Sequence, residues 1–156
     1  MPVLESILFF SALLCLGGDG REAKPEEHLS DQIRTITTIV DNLQRRLGDT
    51  TKVLISVDRG NDRLVSVQPS EADKGTYILS LDRGFLALLD ERDLRAVVAH
   101  ELGHVWIYTH HPYLQTETLA NQTALKVVSR EDLERAYRKV GMHKGEKVDI
   151  QAFVGR

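Results

Sequence analysis

The spacing of hydrophobic positions changes period several times along the chain, and each change predicts an element. From residue 29, "LSDQIRTITTIVDNLQRRLG" puts Leu29, Ile33, Ile36, Val40, Leu43 and Leu47 at three- and four-residue steps. That spacing predicts a helix, with Gly48 as its stop. The period then shortens. "KVLISV", "RLVSVQP" and "TYILSL" are β-branched-rich runs separated by the turn compositions "DRGND" and "SEADKG", which predict three strands of a small, mostly antiparallel sheet. Helical spacing returns in "RGFLALLDE" and "ERDLRAVVAHELGHVWIY", where Leu94, Val97, Val98, Leu102 and Val105 form an apolar face. "QTETLANQTALKVVS" and "REDLERAYRKVG" predict two further helices, and the tail from Met142 follows no period. No internal repeat is visible. The pattern predicts an α+β domain over residues 29–156, with a small sheet packed on helices.

The N-terminus departs from this pattern. "ILFFSALLCLGG" (Ile7–Gly18) is an apolar block ending in small residues, followed by the polar "DGREAKPEE". Its length suits the hydrophobic region of an export signal better than a membrane span. Residues 1–20 are therefore expected to be removed, with 21–28 a linker, and the mature protein to be secreted or periplasmic without a stable span. A lipid anchor on Cys15 and a retained membrane tether are the alternatives.

Composition narrows the chemistry. At 156 residues the chain has the length of a single domain. A formal net charge of −3 with no basic run gives no electrostatic case for nucleic acid. Cys15 is the sole cysteine, so any metal site must be built from histidine and carboxylate.

Such a site is suggested by "AVVAHELGHVWIYTHHP", residues 96 to 112. On a helix, positions four apart differ by only ~40° and stand one turn above each other. His100 and His104 therefore project together, as two imidazoles must to grip one zinc. Glu101 lies beside them, placed to accept a proton from a water on the metal. Two polar residues sharing a face by coincidence is the plainer reading. It would bury ionisable groups without partners among "AVVA" and "HVW", at a cost of several kcal/mol. Gly103 leaves room for another element to approach.

A catalytic zinc takes a third protein ligand and leaves one position open. His110 stands ten positions after His100, as in metzincins, but the glycine that turns the chain back in that pattern is Ile107 here. On a continuing helix His110 points about 120° away from His104 and ~9 Å further along. His110 and His111 are therefore expected at the surface, ending the helix before Pro112. Glu117 is the favoured candidate, at the start of a second helix running back along the first. Asn121, one turn later, is placed to bond a ligand histidine's other nitrogen. Ala120 and Ala124 keep that face small.

These residues resemble a gluzincin metallopeptidase, in particular the catalytic core of the HtpX and CAAX-prenyl-protease type. That core runs edge strand, short helix, "HExxH" helix and "E-x-x-A-D" helix. Here "TYILSLDRGFLALLDERDLRAVVAHELGHV" is followed by "ETLANQTA", over about residues 75 to 125. The resemblance implies a zincin-like fold, one Zn2+ per chain held by His100, His104 and Glu117, and Glu101 as general base. The family pattern has aspartate where this chain has Asn121. Relatives stabilise the oxyanion with a His, Tyr or Arg downstream of the glutamate, for which Tyr137, Arg138 and His143 are the candidates. The substrate is expected to be a peptide or protein strand, pairing with the "TYILSL" edge at Ile78, Leu79 and Ser80. The reading from sequence is thus a zinc endopeptidase. The alternative is a zincin-fold metal-binding scaffold with little hydrolysis, for which Glu101 has no use.

Overall fold

The first apolar run forms α1 (Pro25–Leu47), with Ile36, Ile39, Val40 and Leu43 buried. It begins earlier than its apolar spacing indicates and takes in "PEEH" of the expected linker. Pro25 occupies the first helical position, where its missing N–H costs nothing, and Glu26 and Glu27 favour the helix's positive end. Gly48, at φ 69°, supplies the left-handed residue that stops it. The structure, a computed structural model, describes residues 25–149. The candidate export segment Ile7–Gly18 and Cys15 lie outside the described residues.

The three strand runs form β1 (Lys52–Asp58), β2 (Val65–Pro69) and β3 (Thr76–Asp82). Their order is β1-β3-β2, with β3 parallel to β1 and antiparallel to β2. The sheet is therefore mixed, where the sequence suggested mostly antiparallel. The connection between β1 and β2 accounts for this. It passes over the end of β3, with Gly60 N–H donating to Asp82 (2.9 Å) and Asn61 Nδ2 to the Ser80 carbonyl (3.3 Å). β1 consequently docks on the far edge of β3, leaving the turn at 70–75 to make the hairpin. Strand alternation puts Val53, Ile55, Val57, Val65, Val67, Leu79 and Leu81 on the core face. Ser56, Ser66, Gln68 and Ser80 line the other.

The helical remainder comprises α2 (Arg83–Leu86), α3 (Glu91–His110), α4 (Glu117–Ala124) and α5 (Arg130–Lys144). α3 is the centre of the fold. Ala96, Val98, Ala99, Leu102, Val105 and Ile107 are all buried, and the helix touches α1, β2, α4 and α5. Its start is fixed by a capping box between Asp90 and Asp93. Asp93, fully buried, also accepts from Arg135 Nε (2.6 Å) and Lys139 Nζ (2.5 Å), tying α3 to α5. Burial opposes ionisation of that carboxyl, but Lys139, the Asp90 N–H and Arg135 together hold it below the usual carboxylate range. Among the described residues, no helix is long and apolar enough to cross a membrane.

Candidate metal centre

The helical period of α3 brings His100 and His104 onto one face, their rings edge-to-face with Nε2 atoms 3.2 Å apart. α4 then runs back along α3. Gln115, just before it, meets His104, and Asn121, further along it, meets His100. Close approach is possible because Gly103 lies against Ala120. A Cβ on Gly103 would come within 2.9 Å of the Ala120 Cα and carbonyl carbon. Glu117, first residue of α4 after the Thr116 N-cap, is thereby delivered to the histidine pair. Its carboxylate oxygens stand 3.1 Å from His100 Nε2 and 3.5 Å from His104 Nε2. The three ligand atoms all lie within 4.8 Å of one another.

The other face of each imidazole fits a metal-binding role. His100 Nδ1 is 2.8 Å from Asn121 Oδ1, and His104 Nδ1 is 3.1 Å from Gln115 Oε1. Gln115 is oriented by its own amide nitrogen, which donates to the His104 carbonyl (3.3 Å). An amide oxygen only accepts, so each Nδ1 carries a proton and each Nε2 faces inward as the atom left to take a metal or, without one, a second proton. Two lone pairs and a carboxylate facing one another repel unless positive charge lies between them. The two imidazoles hold Glu117 well below the usual carboxylate range. Burial pulls His104 down, yet the bonds to Glu117 and Gln115 leave it raised above 6.5. Two imidazole nitrogens and one carboxylate, open on one side, are a donor set that suits zinc.

Glu101 is buried in the same cavity, and the Val67 N–H donates to its carboxylate. Burial pushes its pKa up, against the pull of the two histidines. Asn121 is buried, and Tyr137 from α5 donates its hydroxyl to the same Oδ1 (2.9 Å), 3.2 Å from His100 Nδ1. Burial raises the Tyr137 phenol well above 10, so it stays a neutral donor.

The remaining candidates are placed differently. Tyr137 lies on the Nδ1 side of His100, away from the Nε2 cluster, which is not the position of an oxyanion donor. Arg138 is half exposed beside Glu134 (3.8 Å), and the exposed His143 rests on Phe85. Neither lines the cavity, because α5 turns Leu133, Ala136, Tyr137 and Val140 toward it and carries positions 138 and 143 to other faces. His110 is exposed and stacks on Trp106 (4.5 Å), outside the cluster. Ile78, Leu79 and Ser80 are not edge residues. β3 is the central strand, hydrogen-bonded on both sides, and has no free backbone to offer.

β2 is the edge strand at the site. Leu64 accepts from the Asp82 N–H (2.6 Å), so Ser66 and Gln68 pair with β3 while the backbone of Val65 and Val67 turns outward. A cavity of about 420 Å³ is bounded by this strand, α5 and the histidine face of α3. The sequence predicts β2 as a strand but does not single it out as the edge at the site, nor Gln115 as a partner of His104. Pro69 and the polar Gln68 were the available signal that β2, not β3, is an edge.

No protein-family model matches the chain, and no curated protein matches it. Among solved structures it is similar to the crystal structure of the metallopeptidase zymogen of Pyrococcus abyssi abylysin, with a TM-score of 0.51 and 16% identity. The likeness covers 72% of this chain and 98% of that one. At this identity it speaks to fold alone, and it gives the chain a metallopeptidase-like fold.

Proposed function

We propose that the protein is a zinc-dependent endopeptidase of the gluzincin kind. The observation that carries this is the convergence of His100, His104 and Glu117, each imidazole turned by an amide so that Nε2 faces the others. Bound there, zinc supplies Lewis acidity for water and for the scissile carbonyl. Glu101 takes the water's proton and returns it to the leaving amine. Burial makes its carboxylate a stronger base, and the Val67 N–H aims it. Asn121 and Gln115 fix the histidine tautomers, and Tyr137 acts through Asn121 as a positioning residue. A substrate strand lies along β2 and donates to the outward carbonyls of Val65 and Val67, whose N–H groups are engaged by the Arg63 carbonyl and by Glu101. The resemblance of "HELGH" with "ETLAN" to HtpX-type cores supports the same assignment. We take residues 29–156 as one catalytic domain, delivered outside the cytoplasm by the leader.

The test is Glu101→Gln, which keeps the fold and the metal but removes the base. Zinc content near one per chain in both proteins, with peptide-library cleavage lost by 10²-fold or more in the variant, is the expected result. Equal cleavage by both proteins overturns the role of Glu101. Zinc in both with cleavage by neither favours the scaffold reading.

A further inference from the structure

The cavity carries two cations that the hydrolytic machinery does not use. Arg63 enters its wall just before β2, and Lys144 enters from the end of α5. Among the described residues, the side chain of neither has a hydrogen-bond or ion-pair partner, although the chain holds 23 acidic residues. The position of Arg63 is built by strained backbone. Leu64 has φ 67°, and the Val65 N–H donates to the Arg63 carbonyl (2.8 Å) across it. That is a γ-turn of the rare, strained hand. It is held by burial of the Leu64 side chain and by the Leu64 N–H bond to Asn61 (2.8 Å).

Charge sets what such a cleft selects. Its charged lining residues are Arg63 and Lys144 against Glu101 and Glu117, which cancel while the histidines are neutral. A divalent ion leaves the loaded cleft two charges positive, on a chain of formal net charge −3. The same cavity wall also carries the apolar Val97, Leu133 and Val140. We propose that Arg63 and Lys144 bind a carboxylate of the peptide substrate, next to an apolar side chain seated on Val97, Leu133 and Val140. The carboxylate comes from an acidic side chain or from the peptide's C-terminus.

This inference rests on the peptidase reading, and a binding assay separates the two. Zinc-loaded Glu101→Gln protein is titrated with three N-terminally labelled peptides of one apolar sequence. One is neutral and amidated, one is amidated with a single glutamate, and one has a free C-terminal carboxylate. At least one anionic peptide should bind about tenfold more tightly than the neutral one, an advantage that falls with added salt. Which one does so identifies the source of the carboxylate. Adding Arg63→Gln or Lys144→Gln should shrink the advantage about fivefold or more, and Arg63→Lys should keep most of it. Equal binding of all three peptides, or an advantage untouched by either charge removal, overturns the inference alone. Binding of no peptide overturns it together with the peptidase reading.

Discussion

Gly103→Ala tests whether helix packing builds the candidate metal centre. The added methyl would meet the Ala120 Cα and carbonyl carbon at 2.9 Å, where ordinary contacts begin near 3.4 Å. The obstacle is backbone, so no rotamer relieves it and α4 must withdraw by at least half an ångström. Overpacking of this kind costs about 2–3 kcal/mol, while alanine regains about 1 kcal/mol of helix propensity. The net loss of ~1–2 kcal/mol should lower Tm by roughly 4–8 °C. Glu117 lies one turn from Ala120 on the same helix and moves with it. Ligand distances tolerate only about 0.2 Å, so zinc affinity should fall roughly tenfold, as when ligand orientation is disturbed. Thermal unfolding of the metal-free protein reads the first effect, and chelator competition reads the second. A variant that melts and binds zinc like the wild type would refute the claim that this contact delivers Glu117. Destabilisation with unchanged zinc affinity would confine Gly103 to the core.

Glu117→Ala should strip zinc on dialysis while His110→Ala retains it. The reverse would move the third ligand to the end of α3. Asn121→Ala should weaken zinc binding about 10- to 100-fold by releasing the His100 N–H. Tyr137→Phe should weaken it only about fivefold, the worth of one hydrogen bond acting through Asn121. Equal effects would mean that Tyr137 touches the metal side directly. In the metal-free protein His104 holds its proton above pH 6.5, so protons compete with zinc as pH falls through that region. Chelator competition between pH 5.5 and 7.5 should show affinity rising with pH, and a flat profile would remove histidine from the ligand set.

What the chain's sequence discloses follows from how local each cause is. The ligand geometry is local. The 40° offset between positions four apart forces His100 and His104 together on any helix, and the smallness of Gly103, Ala120 and Ala124 announces two backbones in contact. The centre of the sheet was harder to read, because strand order depends on where a connection crosses. Nothing in "DRGNDR" states that it will be held across β3 by Asp82 and Ser80. "TYILSL" reads as an edge from its sequence, while in the fold its buried Thr76, Tyr77, Leu79 and Leu81 suit a central strand. β2, ending in Gln68 and Pro69, carried the edge composition. The oxyanion candidates failed for a similar reason. Tyr137, Arg138 and His143 are equivalent in type, and only the rotation of α5 against α3 sends one of them inward.

Asn121 is where sequence and geometry bear on each other most closely. As a departure from an aspartate pattern it reads as a loss, since an amide gives the imidazole no negative charge. In the fold its oxygen is buried and takes two donors, the His100 N–H and the Tyr137 hydroxyl. An aspartate there would be a third carboxylate near the buried Glu101 and the half-exposed Glu117, and carboxylates crowded together raise one another's pKa. The one that must stay ionised to accept a proton is Glu101, whose pKa burial already raises. A neutral acceptor held by a neutral phenol fixes the His100 tautomer without that penalty. Asn121→Asp should therefore tighten zinc, as a charged partner does, while shifting the acid limb of any hydrolysis to higher pH. If zinc affinity rises and the acid limb stays in place, Asn121 and Glu101 are electrostatically independent and the argument for the amide fails.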